Sequence, residues 1–395
     1  MRYGMAKPGV GVARRGARVR PFIVMDVLRE AQELQAAGVD VVRMEVGQPV
    51  GPAPRKVLEA AAAAMRNDDL GYTEARGILP LRERIARYYA EQHGIDVPVE
   101  RIFITTGSSA AFTLALTALF NTGDFVAVAN PGYPAYLNIL WALDVNTILL
   151  PAGEAEGWVP TEQGVAQALD DGARGVLLAS PVNPTGAMIP AQRLEALVRL
   201  VLGRGRAFIS DEIYHRLTYG EEAQTALAFS DDVVVINSFS KYYAMTGWRV
   251  GWMVVPEWLT RTVEVLAQNM FISAPAIAQH AALAAFDAED ELQERKARYA
   301  ANRAFLLDAL PGMGLGKVAP ADGAFYLYVD VRGLSDDSVA LARRLLHEAH
   351  VALTPGVDFD PLEGQGALRL SYCGSEADME RACERLARWL QAQPR

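Results

Sequence analysis

The chain has 395 residues, of which 51% are hydrophobic and 22% charged, and its formal net charge is −9. This length predicts two domains and this composition a globular enzyme, while the acidic charge argues against a mainly nucleic-acid-binding protein. No apolar stretch approaches the length that spans a bilayer, and the two cysteines lack the spacing of a metal site or a disulfide framework. We therefore expect a reduced, cytoplasmic protein without a metal.

The first twenty residues are strongly basic. They contain no acid and six basic side chains: Arg2, Lys7, Arg14, Arg15, Arg18 and Arg20. Two adjacent arginines could open a twin-arginine export signal, but the apolar segment that such signals need does not follow. We expect residues 1–13 to form an arm that packs on a partner subunit.

Between residues 100 and 255 the sequence alternates β-rich runs with stretches of helical apolar spacing. The runs are "IFITT", "FVAVA", "NTILL", "GVLLAS", "AFIS", "VVVINS" and "VGWMVV". Several are apolar at consecutive positions, which is typical of strands covered on both faces by helices. We therefore predict an α/β domain with a mostly parallel, seven-stranded sheet.

After residue 290 the pattern changes. The segment "DELQERKARYAANRAFLLDAL" predicts a long amphipathic helix, and "GAFYLYVDV" and "ALRLSYC" predict strands. A last helix is expected near residues 376–392. This order of elements indicates a smaller α+β domain.

Small and polar residues follow the predicted strands, at the edge where open α/β sheets bind ligands. Gly107, Ser108 and Ser109 begin a helix, and the free amides of a helix start bind phosphate; such residues also cap helices for stability alone. Further phosphate donors come from one later stretch: Ser238, Ser240 and Arg249. Since no GxxxxGK[ST] motif occurs, we predict that the phosphate belongs to a cofactor other than a P-loop nucleotide.

Lys241 follows an apolar strand and stands among these phosphate-type groups. An amine in such surroundings suits a Schiff base with a carbonyl. Asp211 ends another core strand, where a buried carboxylate needs a cation such as a protonated pyridine nitrogen. Tyr214 and Asn183 can donate to a phenolate oxygen. Together these groups match the functional groups of pyridoxal phosphate.

The chain resembles the class I/II aminotransferases of the aspartate aminotransferase family, which have the fold type I architecture of pyridoxal-phosphate enzymes. The resemblance covers nearly the whole chain and rests on motifs taken in order. They are "PFIVMDVLREA", "MEVGQP", "GYTEARGILPLRERIA", "PVNPTG", "SDEIY", "SFSKYYAMTGWRVGW", "GAFYLYVDV" and "LRLSYC". It implies an enzyme that moves an amino group between an L-amino acid and a 2-oxo acid by a ping-pong mechanism.

The resemblance also implies a role for each matching residue. Lys241 would bond the cofactor and shuttle a proton, Asp211 would keep the pyridine nitrogen protonated, and Asn183 and Tyr214 would hold the phenolate oxygen. Tyr133 would stack on the ring. The phosphate would be held by Ser108, Ser109, Ser238, Ser240 and Arg249, beside Gly107.

Further implications concern the substrate and the assembly. Gly47 and Arg369 would bracket the substrate α-carboxylate. Tyr72 would reach the phosphate of a neighbouring subunit, which makes a homodimer the expected active unit. Residues 14–45 and 292–395 would form the small domain and 46–291 the large one. The Asn183-Pro184 bond is expected to be cis, and the Asn130-Pro131 bond is a second candidate.

The amino donor stays open at this stage, with aspartate, alanine and aromatic amino acids as candidates and 2-oxoglutarate as the usual acceptor. A distal carboxylate would need a cation, and only Lys7, Arg20 and Arg43 are candidates, although solvent or a subunit interface is the simpler expectation for them. The stretch "GQPVGPAP" lacks the acidic residue that relatives often carry there.

Two rival functions keep the same fold. A pyridoxal-phosphate lyase or synthase would act at Cβ or Cγ, and release of pyruvate and ammonia without an oxo-acid acceptor would reveal it. A non-enzymatic regulatory module would need an attached DNA-binding domain, for which residues 1–30 are too short.

Overall fold

The structure is a computed structural model that describes residues 11–67 and 70–393. Its helices are α1 Arg14–Arg18, α2 Ile23–Ala36, α3 Arg55–Asn67, α4 Leu79–His93, α5 Gly107–Leu119, α6 Pro134–Ala142, α7 Glu162–Asp170, α8 Ala191–Gly203, α9 Thr260–Met270, α10 Ala276–Ala285, α11 Glu289–Gly312, α12 Ser338–Arg344 and α13 Glu376–Gln391. Its strands are β1 Val42–Arg43, β2 Ile102–Thr105, β3 Phe125–Asn130, β4 Asn146–Pro151, β5 Ala173–Ala179, β6 Ala207–Asp211, β7 Val234–Ser238, β8 Gly251–Val254, β9 Tyr326–Asp330, β10 Val351–Ala352, β11 Thr354–Pro355 and β12 Ala367–Ser371.

The large sheet has seven strands in the order β2-β8-β7-β6-β5-β3-β4. Strand β8 is antiparallel to both its neighbours, and the other neighbouring pairs are parallel. The central strands are buried along their length because helices cover both faces. The predicted seven-stranded, mostly parallel sheet is confirmed.

A smaller α+β layer follows in the chain. Strands β11, β12 and β9 form an antiparallel sheet, and β1 pairs in parallel with β10. The long helix α11 packs against α13, and α12 packs on β11 and β12. The elements expected after residue 290 are all present.

The N-terminal helices contact different parts of the molecule. Helix α1, which the prediction included in the small domain, packs on α6 beside the large sheet, where Arg18 donates to Asp144 at 2.9 Å. Helix α2 packs on β10 and β11 instead, and Asp358 accepts hydrogen bonds of 3.0 Å from the amides of Ile23 and Val24 at its start. Residues 1–10 of the predicted arm, Lys7 among them, lie outside the described residues.

The parallel strands place their carboxyl ends along one edge of the large sheet. There Ala179 of β5 pairs with Asp211 of β6, which in turn pairs with Ile236 of β7. The Asn130-Pro131 and Asn183-Pro184 bonds are cis, as predicted, and so is Ser180-Pro181, which was not predicted. This edge, facing the smaller layer, carries the candidate site.

Within residues 11–67 and 70–393, no helix has the length and apolar character needed to cross a lipid bilayer. In the same part of the chain, no three His, Cys, Asp or Glu side chains gather in a way that could hold a metal ion.

Candidate active site

A cleft lies between the carboxyl edge of the large sheet and the smaller layer. Its empty volume, open mouth included, is about 970 Å³. The predicted site residues that line it are Gly47, Ser108, Ser109, Tyr133, Asn183, Asp211, Tyr214, Ser240, Lys241, Arg249 and Arg369. Residues separated by more than 300 positions in the chain therefore meet in one cavity.

Lys241 follows β7 and points into this cleft. Its Nζ donates to the carbonyl of Gly47 at 2.7 Å and lies 5.9 Å from the ring centres of both Tyr214 and Phe325. Burial lowers the pKa of Lys241 to about 8, and the positive charges of Arg369 and Arg249 act in the same direction. The uncharged fraction of this amine near neutral pH is therefore much larger than for an ordinary lysine, and the uncharged form is the nucleophile.

Asp211 ends β6 and is buried in the floor of the cleft. It accepts a short hydrogen bond from the hydroxyl of Tyr136 and another, of 3.0 Å, from the amide of Ile213. Burial raises the pKa of Asp211 to about 6, whereas these hydrogen bonds oppose the increase. Among the described residues Asp211 forms no ion pair, so a cation in the cleft would stabilise its charged form.

The start of α5 forms an anion cradle. Thr106, the residue before the helix, provides no side-chain cap, so the first amides keep their capacity for a ligand. Gly107 has φ +70°, and a Cβ there would lie 2.5 Å from the guanidinium of Arg249. Arg249 itself has left-handed backbone, with φ 52°. Glycine is therefore required where the helix start meets this arginine.

Two serines hold the turn beside Lys241. The Ser238 hydroxyl donates to the Ser240 hydroxyl at 3.0 Å and accepts from the Ser240 amide at 3.1 Å. Both side chains are buried, and Ser240 lines the cleft whereas Ser238 supports it from behind. The predicted phosphate donors thus lie on one side of the cavity, with Ser238 one layer away.

Tyr214 and Asn183 are buried at the junction with the smaller layer. The Tyr214 hydroxyl lies 2.9 Å from the hydroxyl of Tyr326, which comes from β9. The side-chain oxygen of Asn183 accepts from Arg369 at 2.9 Å, which leaves the amide nitrogen of Asn183 as a donor.

Arg369 projects from β12 into the same space. Its guanidinium donates to the Glu45 carbonyl and, at 3.3 Å, to the Thr354 hydroxyl, while its buried Nε has no hydrogen-bond partner among the described residues. It lies 4.3 Å from the ring centre of Tyr326 and 4.5 Å from that of Phe359. A buried guanidinium held between two rings is suited to bind a carboxylate by two hydrogen bonds.

The entrance is lined by aromatic and apolar groups. Gly47 lies so close to β9 that a Cβ would meet the Tyr326 hydroxyl at 1.6 Å, so only glycine fits. The ring of Tyr133 contacts Phe22 and Tyr136, with ring centres 5.9 and 5.4 Å apart. Tyr133 therefore forms one wall over Asp211, in a position where it could cover a bound ring.

Gly107 and Ser238 do not line the cleft but adjoin residues that do, and three further predicted residues lie apart from it. Tyr72 does not line it, and 86% of its side chain is exposed. Arg20 lies over the ring of Trp141, 5.1 Å from its centre. Arg43 pairs with the buried carboxylate of Glu45. Neither arginine is placed to bind a substrate in this subunit's cleft.

Sequence reasoning missed several lining residues. Tyr136 follows Tyr133 by three positions at the start of α6, a spacing that places both on one helix face and could have indicated it. Tyr326 stands in a quoted motif but was given no role. Phe22, Val24 and Met25 also line the cleft, and only the packing of α2 on the smaller layer brings them there.

Comparison with known proteins agrees with this geometry. A sequence model described as aminotransferase class I and II matches residues 39–386. The valine–pyruvate aminotransferase of Mycobacterium tuberculosis is 46% identical over 381 residues, which cover 95% of this chain and 98% of that protein.

Two solved structures are similar over nearly the full chain. The crystal structure of an aminotransferase from Mycobacterium tuberculosis has a TM-score of 0.95 at 46% identity and covers 97% of this chain and 100% of its own. The aspartate aminotransferase from Thermus thermophilus with maleate has a TM-score of 0.91 at 32% identity, with coverages of 96% and 99%.

The fold and the site define a pyridoxal-phosphate enzyme of fold type I. The chain belongs to the class I and II aminotransferase family and is an aminotransferase, and members of this family use pyridoxal phosphate. The cleft fits that cofactor: it offers a lysine amine, uncapped helix amides beside Arg249, and a buried Asp211 that forms no ion pair within residues 11–67 and 70–393.

Proposed function

We propose that this aminotransferase takes the amino group from an L-amino acid with an apolar side chain and passes it to a 2-oxo acid in a ping-pong cycle through Lys241. The main support is the charge of the cleft. Its described lining contains three cations, Lys241, Arg249 and Arg369, each with a place at the cofactor or the α-carboxylate. Among the described residues that line this cleft, an acidic side chain would find no further cation.

The remaining wall is apolar. Val24 and Met25 of α2, with Phe22 just before the helix and Val46, line the same cleft as Arg369. Such a surface stabilises an aliphatic side chain by removing it from water. The similar protein from Mycobacterium tuberculosis is named for valine, an amino acid of this kind.

Two acceptors are candidates. The family resemblance predicts 2-oxoglutarate, whose distal carboxylate would need a cation from outside the described residues of this chain. Pyruvate, for which the Mycobacterium relative is named, carries only the carboxylate that Arg369 can bind. The charge of the cleft favours pyruvate.

Each residue of the cleft has a separate role in the proposed reaction. Pyridoxal phosphate, when bound, supplies a ring that accepts electrons as the Cα proton leaves. Lys241 would bond the cofactor in the resting enzyme, and its amine would afterwards carry the proton at Nζ, for which a pKa of about 8 is suitable. Asp211 would pair with the ring nitrogen, Asn183 and Tyr214 would donate to the phenolate oxygen, and Arg369 would orient the substrate.

The phosphate end serves as the anchor in this proposal. The amides at the start of α5, the guanidinium of Arg249 and the hydroxyls of Ser108, Ser109 and Ser240 surround one anion, while Ser238 orients Ser240. Tyr133 covers the ring, and Gly47 lets the backbone approach Tyr326 closely at the place where the substrate carboxylate would bind.

We also propose that the active unit is a homodimer. Leu58 and Met65, seven positions apart on α3, are 42% and 60% exposed, and Tyr72 nearby is 86% exposed. One face of α3 is already buried, so these exposed side chains form a second apolar stripe. Such a stripe is typical of a subunit contact. In a dimer formed through this face, Tyr72 would reach the phosphate of the partner's cofactor.

An amino-transfer screen tests the proposal. Valine, alanine, aspartate and phenylalanine are each combined with pyruvate and with 2-oxoglutarate, and both products are measured. We expect the highest kcat/KM for valine with pyruvate and parallel double-reciprocal lines, as a ping-pong mechanism requires.

Each alternative gives a different result. Preference for aspartate would contradict the apolar donor, and preference for 2-oxoglutarate would contradict only the acceptor. Donor-dependent release of ammonia without any 2-oxo acid would indicate a lyase. Analytical ultracentrifugation of the cofactor-loaded protein checks the dimer separately.

A further inference from the structure

A second cavity lies between the large sheet and the smaller layer, on the far side of Phe359 from the active site. Its empty volume, open mouth included, is about 1790 Å³, and it shares no lining residue with the catalytic cleft. One wall comes from Leu149 and Pro151 of β4, and the opposite wall from Val318 and Tyr328. We call this cavity the edge groove.

Tyr328 places an unused polar group in the wall of the edge groove. It stands two positions after Tyr326 on β9, so both rings leave the same face of the strand. Tyr326 enters the catalytic cleft and bonds Tyr214, whereas Tyr328 lines the groove. Its hydroxyl is buried and has no hydrogen-bond partner among the described residues. Burial raises the pKa of Tyr328, so this hydroxyl keeps its proton and can donate.

Trp158 forms the neighbouring part of the wall, and its backbone is strained. It adopts left-handed conformation with φ 65°, which is uncommon for a bulky residue. Its amide donates to the Gly153 carbonyl at 2.8 Å, and its ring meets that of Tyr328 edge-on with centres 6.2 Å apart. The strained loop therefore presents a half-buried indole to the groove beside the buried Tyr328 hydroxyl, which a ligand reaches when the two rings move apart.

Acids outnumber cations in the lining, which has Lys317 and Arg332 against Glu154, Glu156, Asp330, Asp360 and Glu363. Lys317 lies 3.9 Å from Glu154 and 4.0 Å from Asp330, and Arg332 lies 3.0 Å from Asp330. The carboxylate of Asp360 accepts from Asn130 at 2.8 Å. Both cations of the lining, Lys317 and Arg332, lie within 4.0 Å of an acid, so the groove offers little to an anionic ligand.

We propose that the edge groove is a second small-molecule site, which binds a neutral, flat aromatic compound carrying a hydrogen-bond acceptor such as a carbonyl oxygen. The ring would pack on Trp158, Leu149 and Val318, and the acceptor would take the hydrogen bond of Tyr328. An aromatic ring gains most from this wall because it fits a narrow apolar space and pairs with indole.

The position of the groove couples it to the active site. Its wall includes Asn130, which shares the 130–133 loop with Tyr133, and Asp360, which follows Phe359. The Gly132 amide donates to the Phe359 carbonyl at 3.0 Å, and the Phe359 ring lies on Arg369. A ligand that fills the groove contacts the segments that position both the cofactor-covering ring and the carboxylate-binding arginine.

The test is a binding titration of the enzyme loaded with pyridoxal phosphate, with indole-3-carboxamide as the probe and ligand-observed NMR as the readout. We expect saturable binding of one probe per chain with a dissociation constant near or below about 1 mM, which is ordinary for a ligand of this size. Indole lacks the acceptor and cyclohexanecarboxamide lacks the aromatic ring, so each should bind more weakly.

Matched variants locate the probe. Tyr328→Phe removes one hydroxyl and should weaken binding about tenfold. Tyr299→Phe, which changes another buried tyrosine of the smaller layer away from the groove, should leave the affinity unchanged. Trp158→Ala should weaken binding as well, and retention of the cofactor absorbance band shows that each variant is folded.

Three results would overturn the proposal. They are absence of saturable binding to the wild type, equal affinity in Tyr328→Phe and the wild type, and competitive displacement by 2-aminoisobutyrate. This last compound is an amino acid without a Cα proton, so it fills the catalytic cleft without turnover. Continued binding in its presence supports a separate site.

Discussion

The two ends of the catalytic cleft are built differently. At the cofactor end, Lys241, Asp211 and the start of α5 all follow strands of one sheet, so the backbone of that sheet fixes their spacing. At the substrate end, Arg369 comes from the smaller layer, and the apolar wall comes from α2, near the start of the chain.

Because of this difference, the cofactor end holds the cofactor in place and the substrate end recognises the substrate. The cofactor end rests on parallel strands buried on both faces, and its polar groups bond one another through short local contacts such as Ser238 to Ser240. The substrate end depends on how α2 and the smaller layer pack over the sheet, which Asp358 secures by capping α2. A substitution at the cofactor end should therefore change the binding and spectrum of the cofactor, whereas a substitution at the substrate end should change substrate affinity.

The largest effect is expected for Lys241→Ala, at the cofactor end. The variant loses both the amine that bonds the cofactor and the group that carries the proton, so kcat should fall by about 10⁴-fold or more. Stopped-flow assays measure this loss, and the absorbance band of the lysine-bound cofactor should disappear. A variant that keeps both the band and measurable turnover would contradict the assignment of Lys241.

Asp211→Asn should have the next largest effect. The amide keeps the shape of the side chain but cannot carry the charge that holds a proton on the ring nitrogen, so we expect kcat to decrease by roughly 10³-fold. The cofactor should still bind, with a changed absorbance spectrum. Near-normal turnover would show that the ring nitrogen needs no charged partner here.

Arg369→Lys tests the substrate end. Lysine keeps the charge but loses the two-pronged geometry, so kcat/KM should fall by about 10²-fold, chiefly through KM. The cofactor spectrum without substrate should not change. Arg332→Lys is the matched control, because this arginine lies just after β9, and its exposed guanidinium pairs with Asp330 outside the cleft. A changed spectrum in Arg369→Lys would mean that the two ends are not separable.

The same contrast explains what the sequence could predict. The seven strands were predicted because each is a short apolar run, and the residues after them meet because parallel strands end at one edge. The gathering of Lys241, Asp211 and Gly107 follows from that rule alone. Their individual roles remain predictions until variants are measured.

Contacts that depend on the packing of separate layers could not be predicted in this way. Nothing local indicates that Tyr326 meets Tyr214, or that α1 lies on α6 through Arg18 and Asp144. These contacts require the register between distant segments. The pairing of Arg43 with Glu45 is different, because the two residues are only two positions apart and the sequence could have indicated it.

The smallest effect is expected where the two ends meet, at Tyr136. Its hydroxyl donates to Asp211, and this hydrogen bond lowers the pKa of the carboxyl against the effect of burial. Tyr136→Phe removes the hydrogen bond and should reduce kcat/KM by about tenfold. Because the pKa of Asp211 then rises further, the carboxylate becomes protonated at a higher pH as the solution is acidified.

Affinity for the cofactor should decrease as the solution is acidified, and we call this decrease the acid limb. In Tyr136→Phe the acid limb should therefore lie at higher pH than in the wild type, with affinity at alkaline pH nearly unchanged. Equilibrium titration of the apoenzyme with pyridoxal phosphate between pH 5 and 9 measures the shift. Tyr89→Phe is the control, since the Tyr89 hydroxyl is equally buried but accepts from Trp252 at 3.1 Å and does not touch the cleft. An acid limb that stays in place, or moves to lower pH, would show that Tyr136 does not set the charge of Asp211. The hydroxyl would then serve only to pack the wall beside Tyr133.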